Sequence, residues 1–205
     1  MKDSFYTLIF AAVLGAVCAL LLTAAADFTA PYKAANEKAD EIFNILTVLR
    51  VPIQAEISSE QILKIYNQNI RQKTRNGLTI YQYAPPQAKG EVQAVAVRFS
   101  GPGLWGPVKG LLALESDMRT IQGISFYQQE ETPGLGGEIA STSFTERFVG
   151  KSITDKNGKA GIIIKTGAGK LLPNGVDAIT GATMTCDKVQ EMLNKTIKAI
   201  IEGQK

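Results

Sequence analysis

Val95-Ala96-Val97-Arg98-Phe99, Val108-Lys109-Gly110-Leu111-Leu112-Ala113-Leu114 and Ile121-Gln122-Gly123-Ile124-Ser125-Phe126-Tyr127 follow one another within residues 95–127. In the first run Val95, Val97 and Phe99 alternate with small or polar residues, the period of a strand. Glu115-Ser116-Asp117 supplies a turn between the second and third runs. On the N-terminal side, Leu78–Tyr83 is rich in β-formers and follows Asn76-Gly77, a turn signal. Ile162-Ile163-Ile164 reads as a short buried strand. Residues 187–201 place Val189, Met192, Leu193, Thr196 and Ile200 on one helical face. Ser58 or Ser59 is placed to cap an earlier helix, with Ile62, Leu63, Tyr66 and Ile70 along one side. Helices flanking a run of strands predict an α+β domain with a largely antiparallel sheet. A domain of about 150 residues buries roughly 70% of its unfolded surface and needs no covalent staples.

The N-terminal region has a different character. Residues 5–26 carry no charge, and a helix of that length spans roughly 33 Å at about 1.5 Å per residue, enough for a bilayer core of about 30 Å. Ala24-Ala25-Ala26 resembles a signal-peptide cleavage site, but the apolar run exceeds the usual core of roughly 7–15 residues. A buried core helix fits less well, because the run is long and lies at the chain end. A retained single-pass anchor over residues 1–30 is therefore expected. Lys2 and the terminal amine precede it, which predicts a cytoplasmic N-terminus and a domain outside the cytoplasm. Pro31 follows, then a charged stretch in which Ile42, Ile45, Leu46 and Leu49 recur at helical spacing, closed by Pro52. Residues 31–55 are expected to form a juxtamembrane helical linker and residues 56–205 the soluble domain.

Composition removes several chemistries. The 205 residues include no histidine, so histidine cannot serve as metal ligand, general base or pH sensor. Two cysteines, Cys18 and Cys186, cannot build a zinc site alone, and no metal is expected. A net charge of +3, without a basic cluster interleaved with aromatics, does not predict nucleic-acid binding. No catalytic acid–base set is visible.

Four glycine-containing segments compete as sites. Gly101-Pro-Gly103-Leu104-Trp105-Gly106 formally matches G-x-G-x-x-G. A dinucleotide fingerprint needs a helix next, and here Pro107 leads into a strand. Thr166-Gly-Ala-Gly169-Lys170 resembles part of a phosphate loop, but Ile164 replaces its first glycine and Leu171 its magnesium-binding hydroxyl, so it reads as a tight turn. Glu130-Glu131-Thr132-Pro133-Gly134-Leu135-Gly136-Gly137 reads as either a surface turn or a ligand loop. Glycines permit close backbone approach to a flat ligand, and Leu135 supplies an apolar face. Asp177-Ala-Ile-Thr180-Gly181-Ala182-Thr183-Met-Thr185 precedes the last helix. It reads as a capped glycine turn or as an anion site, where free N–H groups and the helix dipole favour a phosphate and the Thr183 hydroxyl faces it.

This last segment resembles the flavinylation motif Asp-x-x-(Ser/Thr)-Gly-Ala-Thr of FMN-binding domains. The 131–136 loop and Gly103-Leu104-Trp105 resemble the same family, and their order and spacing resemble those of the C subunits of Na⁺-translocating NADH:quinone oxidoreductases. The resemblance implies FMN joined through its phosphate to Thr183 by a dedicated flavin transferase. It implies cofactor contacts from Asp177, Thr180, Gly181, Ala182 and Thr185, from Glu131, Thr132, Leu135 and Gly136, and from Leu104 and Trp105. It further implies an electron relay in the inner membrane among other subunits of a multi-subunit redox complex, from NADH toward quinone, with sodium transport in multi-span partners. The G subunit of the Rnf complex shares the two core motifs, so an Rnf-type ferredoxin:NAD relay is an alternative. A non-redox, membrane-tethered ligand-binding module is the rival of another class. Cys186 reads as a small residue in the first turn of the helix rather than as a redox thiol.

Overall fold

The computed structural model describes residues 2–53 and 58–203. It divides into two units, residues 1–40 and residues 41–205. The first is helical. Its side chains from Phe5 to Leu22 are exposed, including Leu20, Leu21 and Leu22 at 71%, 66% and 72%. The helix to which it belongs, α1 (Lys2–Val48), contains Pro31 and is long and apolar enough to cross a membrane.

The second unit begins with the last turns of α1 and continues through α2 (Ser59–Asn69). Ser58 caps α2 with a reciprocal box: its hydroxyl accepts the Gln61 N–H and the Gln61 side chain accepts the Ser58 N–H. Five strands follow: β1 (Ile70–Arg75), β2 (Leu78–Tyr83), β3 (Ala94–Pro102), β4 (Pro107–Glu115) and β5 (Ile121–Gln128). They form one antiparallel sheet in chain order. The fold is the α+β arrangement expected. Ile70, expected on the face of α2, instead opens β1, a strand whose other five residues are all exposed. Such a polar edge strand carries no apolar alternation for a sequence to display.

The two sheet faces explain the composition of β3. Val95, Val97 and Phe99 pack in one core with Leu112, Leu114 and Val189, Leu193 and Ile197 of the last helix. Ala94 and Ala96 face the other way, against Ile42, Ile45, Leu46 and Leu49 at the end of α1. Small residues on that face admit the helix, so both faces of β3 and β4 are buried. Each fully buried aliphatic side chain contributes about 1.5–3 kcal/mol by transfer from water. On that same face Arg98 pairs with Glu41 and donates to the Tyr81 hydroxyl at 2.6 Å.

After β5 the chain runs through short helical turns, including α3 (Thr142–Thr145), and an aromatic row pins them to the sheet. Phe99, Phe126, Phe144 and Phe148 meet in succession at centroid distances of 5.5, 6.3 and 5.2 Å. A parallel pair, β6 (Ile163–Ile164) and β7 (Gly175–Val176), flanks α4 (Ala168–Leu171). The segment read as a tight turn is a turn at Gly167, with φ +77°, leading into that single helical turn. Helix α5 (Thr183–Glu202) closes the domain. Its Asn194 and Gln190 side chains accept the N–H groups of Ile162 and Ile164, each at 2.7 Å, which fixes α5 against β6.

Candidate functional site

The N-terminus of α5 is open. Thr183 is its first residue, Ala182 holds the cap position, and among the described residues no side chain caps the first-turn N–H groups. The chain reaches this point through Gly181 at φ +81°, a left-handed conformation that favours glycine. Thr180, Gly181 and Thr183 are exposed, whereas Ala182 and Thr185 are buried.

The approach to Thr183 is held by its backbone. Arg147 donates to the carbonyls of Asp177 and Ala178 at 2.9 and 3.1 Å. Asp177 accepts the Gly169 N–H at 3.1 Å. The Cys186 sulfur accepts the Ile179 N–H at 3.4 Å. Burial pushes the Cys186 thiol above its ordinary value, reinforced by Asp187 and only partly offset by the Ile179 N–H and Arg147. A buried, protonated thiol that fastens a turn fits the structural reading of Cys186.

Two distant loops converge on this helix end. Glu131 accepts the N–H groups of Leu104 and Trp105 on one carboxylate oxygen, at 2.7 and 3.1 Å. Its other oxygen accepts the Thr185 hydroxyl at 2.6 Å. Glu131 thereby ties the β3–β4 connection to α5. Gly136 has to be glycine here: a Cβ would stand 2.6 Å from the Thr185 hydroxyl and 2.9 Å from Glu131. A Cβ on Gly181 would meet Leu135 at 3.2 Å, so the 131–137 loop lies directly over the 180–183 turn.

The resulting pocket has a volume of about 380 Å³, within the usual range of roughly 300–1,000 Å³ for small-molecule sites. Of the expected site residues, Leu104, Trp105, Glu131, Thr132, Leu135, Gly136, Gly181, Ala182, Thr183 and Thr185 line it. Asp177 and Thr180 do not; the Asp177 carboxylate is turned toward Gly169. Met184, 63% exposed, joins the lining and was not anticipated. Nothing in its position inside the motif distinguishes an outward methionine from a core one. Arg147 was also not anticipated, because no sequence signal connects it to carbonyls thirty residues away.

The donor set suits a phosphorylated flat ligand. An uncapped helix N-terminus and the Thr183 hydroxyl offer polar groups to an anion. Leu104, Trp105, Leu135 and Met184, all at least 41% exposed, offer apolar surface to a ring. Exposed apolar side chains gathered around one pocket mark a binding surface rather than chance exposure.

Comparison with known proteins agrees with this geometry. Residues 103–198 match the FMN-binding domain family. The C subunit of the Na(+)-translocating NADH-quinone reductase from Neisseria meningitidis serogroup A is 42% identical over 101 residues, 49% of this chain and 39% of that protein. The C subunit from Vibrio vulnificus is 36% identical over 141 residues, 68% of this chain and 51% of that protein. The chain thus spans about half or less of these relatives' lengths. The crystal structure of Shewanella oneidensis NqrC shares the fold, with a TM-score of 0.69 over 81% of this chain and 94% of that one at 20% identity. The C subunit from Parabacteroides distasonis gives 0.66 over 83% and 94% at 27% identity. Residues 103–198 thus resemble FMN-binding domains, in a chain that is similar to the C subunits of the Na(+)-translocating NADH-quinone reductases.

Proposed function

We propose that this chain is a membrane-anchored electron-relay subunit that carries FMN covalently on Thr183. The observation that supports it best is the placement of Thr183: an exposed hydroxyl at an uncapped helix N-terminus, opening into a pocket with apolar walls. When bound, the isoalloxazine supplies the redox chemistry. The protein's own groups do the rest. First-turn N–H groups of α5 face the phosphate, and esterification at Thr183 turns a phosphate monoester into a diester, lowering the charge to be accommodated. Leu104, Trp105, Leu135 and Met184 cover the ring and exclude water. Thr132 and the loop N–H groups face its polar edge. Asp177 and Thr180 shape the turn rather than touch the ligand.

The relatives' names favour a place between NADH and quinone in a sodium-translocating complex over the Rnf-type assignment. The partners are then other subunits of that complex, and a flavin transferase for maturation. Residues 1–30 act as the inner-membrane anchor with a cytoplasmic N-terminus, 31–55 as the connection, whose Ile42, Ile45, Leu46 and Leu49 pack on the sheet, and 56–205 as the extracytoplasmic FMN domain. Sodium passage belongs to the multi-span partners, since residues 5–26 contain no intramembrane acid.

Co-expression with a flavin transferase tests the reading. After denaturation and washing, the protein should keep flavin absorbance in the visible. Colourless washed protein would instead favour the non-redox binding module.

A further inference from the structure

Among the described residues, Glu131 is the only charged side chain that is buried, at 5% exposed. Three protein donors hold it: the Leu104 and Trp105 N–H groups and the Thr185 hydroxyl. Among the described residues no lysine or arginine pairs with it; Lys33–Glu37, Arg98–Glu41 and Lys188–Glu191 pair elsewhere. The neighbouring Glu130 is exposed and screened by solvent. A buried charge without a countercharge is costly, and the hydrogen bonds alone do not require one. A glutamine would offer its carbonyl oxygen to the two N–H groups and its amide N–H to the Thr185 oxygen. The negative charge is therefore additional to the tie between the loop and α5, and it sits in the wall of the pocket.

We propose that Glu131 lowers the reduction potential of the flavin in this pocket, acting through space by the charge of its carboxylate while its hydrogen bonds position the loop. The inference rests on the FMN reading above. Two electrons and one proton entering the isoalloxazine leave it with one negative charge. A fixed like charge in a water-poor wall opposes that gain, and water screens it poorly there. Glu131 is a positioning and tuning residue, with both carboxylate oxygens already engaged by the protein.

The test compares the full-length protein with Glu131→Gln, both co-expressed with a flavin transferase and titrated with dithionite against redox dyes. At a fixed potential the reduced-to-oxidised ratio should rise on the order of tenfold in the variant, a shift of about +30 mV for a two-electron couple. A flavin-loaded Glu131→Gln protein with an unchanged or lowered potential would overturn the proposal. If that variant does not fold or load, Thr185→Ala carries the test. It removes one donor and leaves the charge less compensated, so the potential should fall; an unchanged or higher potential would overturn the proposal. Absence of covalent flavin from the unsubstituted protein would overturn the FMN reading itself, a distinct outcome visible before any titration.

Discussion

Arg147 grips the carbonyl oxygen of Asp177 at 2.9 Å, and a second donation to Ala178 at 3.1 Å makes the grip two-pronged. The guanidinium also reaches the Ser143 carbonyl and lies 5.6 Å from the Phe144 ring centre. It joins the helical turns after β5 to the start of the turn that presents Thr183. Arg147→Ala should reduce stability by about 1.5–3 kcal/mol, the usual worth of hydrogen bonds to a charged group. It should also reduce the fraction of chains carrying covalent flavin. Urea denaturation and in-gel flavin fluorescence read the two effects.

Gly136→Ala tests how closely the 131–137 loop meets α5. The new methyl would crowd the Thr185 hydroxyl and Glu131, at 2.6 and 2.9 Å. Overpacking of this kind typically costs about 1–3 kcal/mol. A melting temperature equal to that of the unsubstituted protein would mean that the two elements are not in contact.

Leu135 stands 46% exposed over Gly181 and is proposed to cover the ring. Leu135→Ala should keep covalent flavin but change its visible spectrum. An unchanged spectrum would reduce this loop to a surface turn.

Alkaline pH should weaken the domain through its tyrosines. Burial holds the Tyr81 phenol well above its ordinary value of 10.0, reinforced by Tyr66 and Tyr127, and burial also raises those two. The folded state keeps these protons where the unfolded chain has lost them. Their contribution is thus complete below about pH 10 and declines as pH rises beyond it. Tyr81→Phe should start less stable, since the hydroxyl donates to Glu41 at 3.0 Å, yet lose less stability above pH 10. Equal losses in both proteins, measured by denaturation across that range, would contradict the assignment.

The strands and the last helix were legible because apolar periodicity recorded them. Val95, Val97 and Phe99 alternate, and Val189, Met192 and Leu193 recur at helical spacing. The strand β1 was not legible: Arg71, Gln72, Lys73, Thr74 and Arg75 are exposed and carry no apolar alternation. The residues at Ile42, Ile45, Leu46 and Leu49 gave a helix, but only the alanines of β3 and β4 explain what they pack on. For the site, local motifs placed Thr183 and the 131–136 loop. The carboxylate tie from Glu131 to Thr185 spans 54 residues, and the Arg147 grip spans 30, so neither leaves a local signature.

Intact mass and peptide mapping decide whether Thr183 carries the flavin. The unsubstituted protein and Thr183→Ala, each co-expressed with a flavin transferase, are compared by intact mass and by mapping the flavin-bearing peptide. The mass of the unsubstituted protein should exceed that of its sequence by one esterified FMN, located on Thr183, and Thr183→Ala should fold with no such increment. Covalent flavin retained by Thr183→Ala, whether on Thr180, Thr185 or elsewhere, would rule out Thr183 as the attachment site.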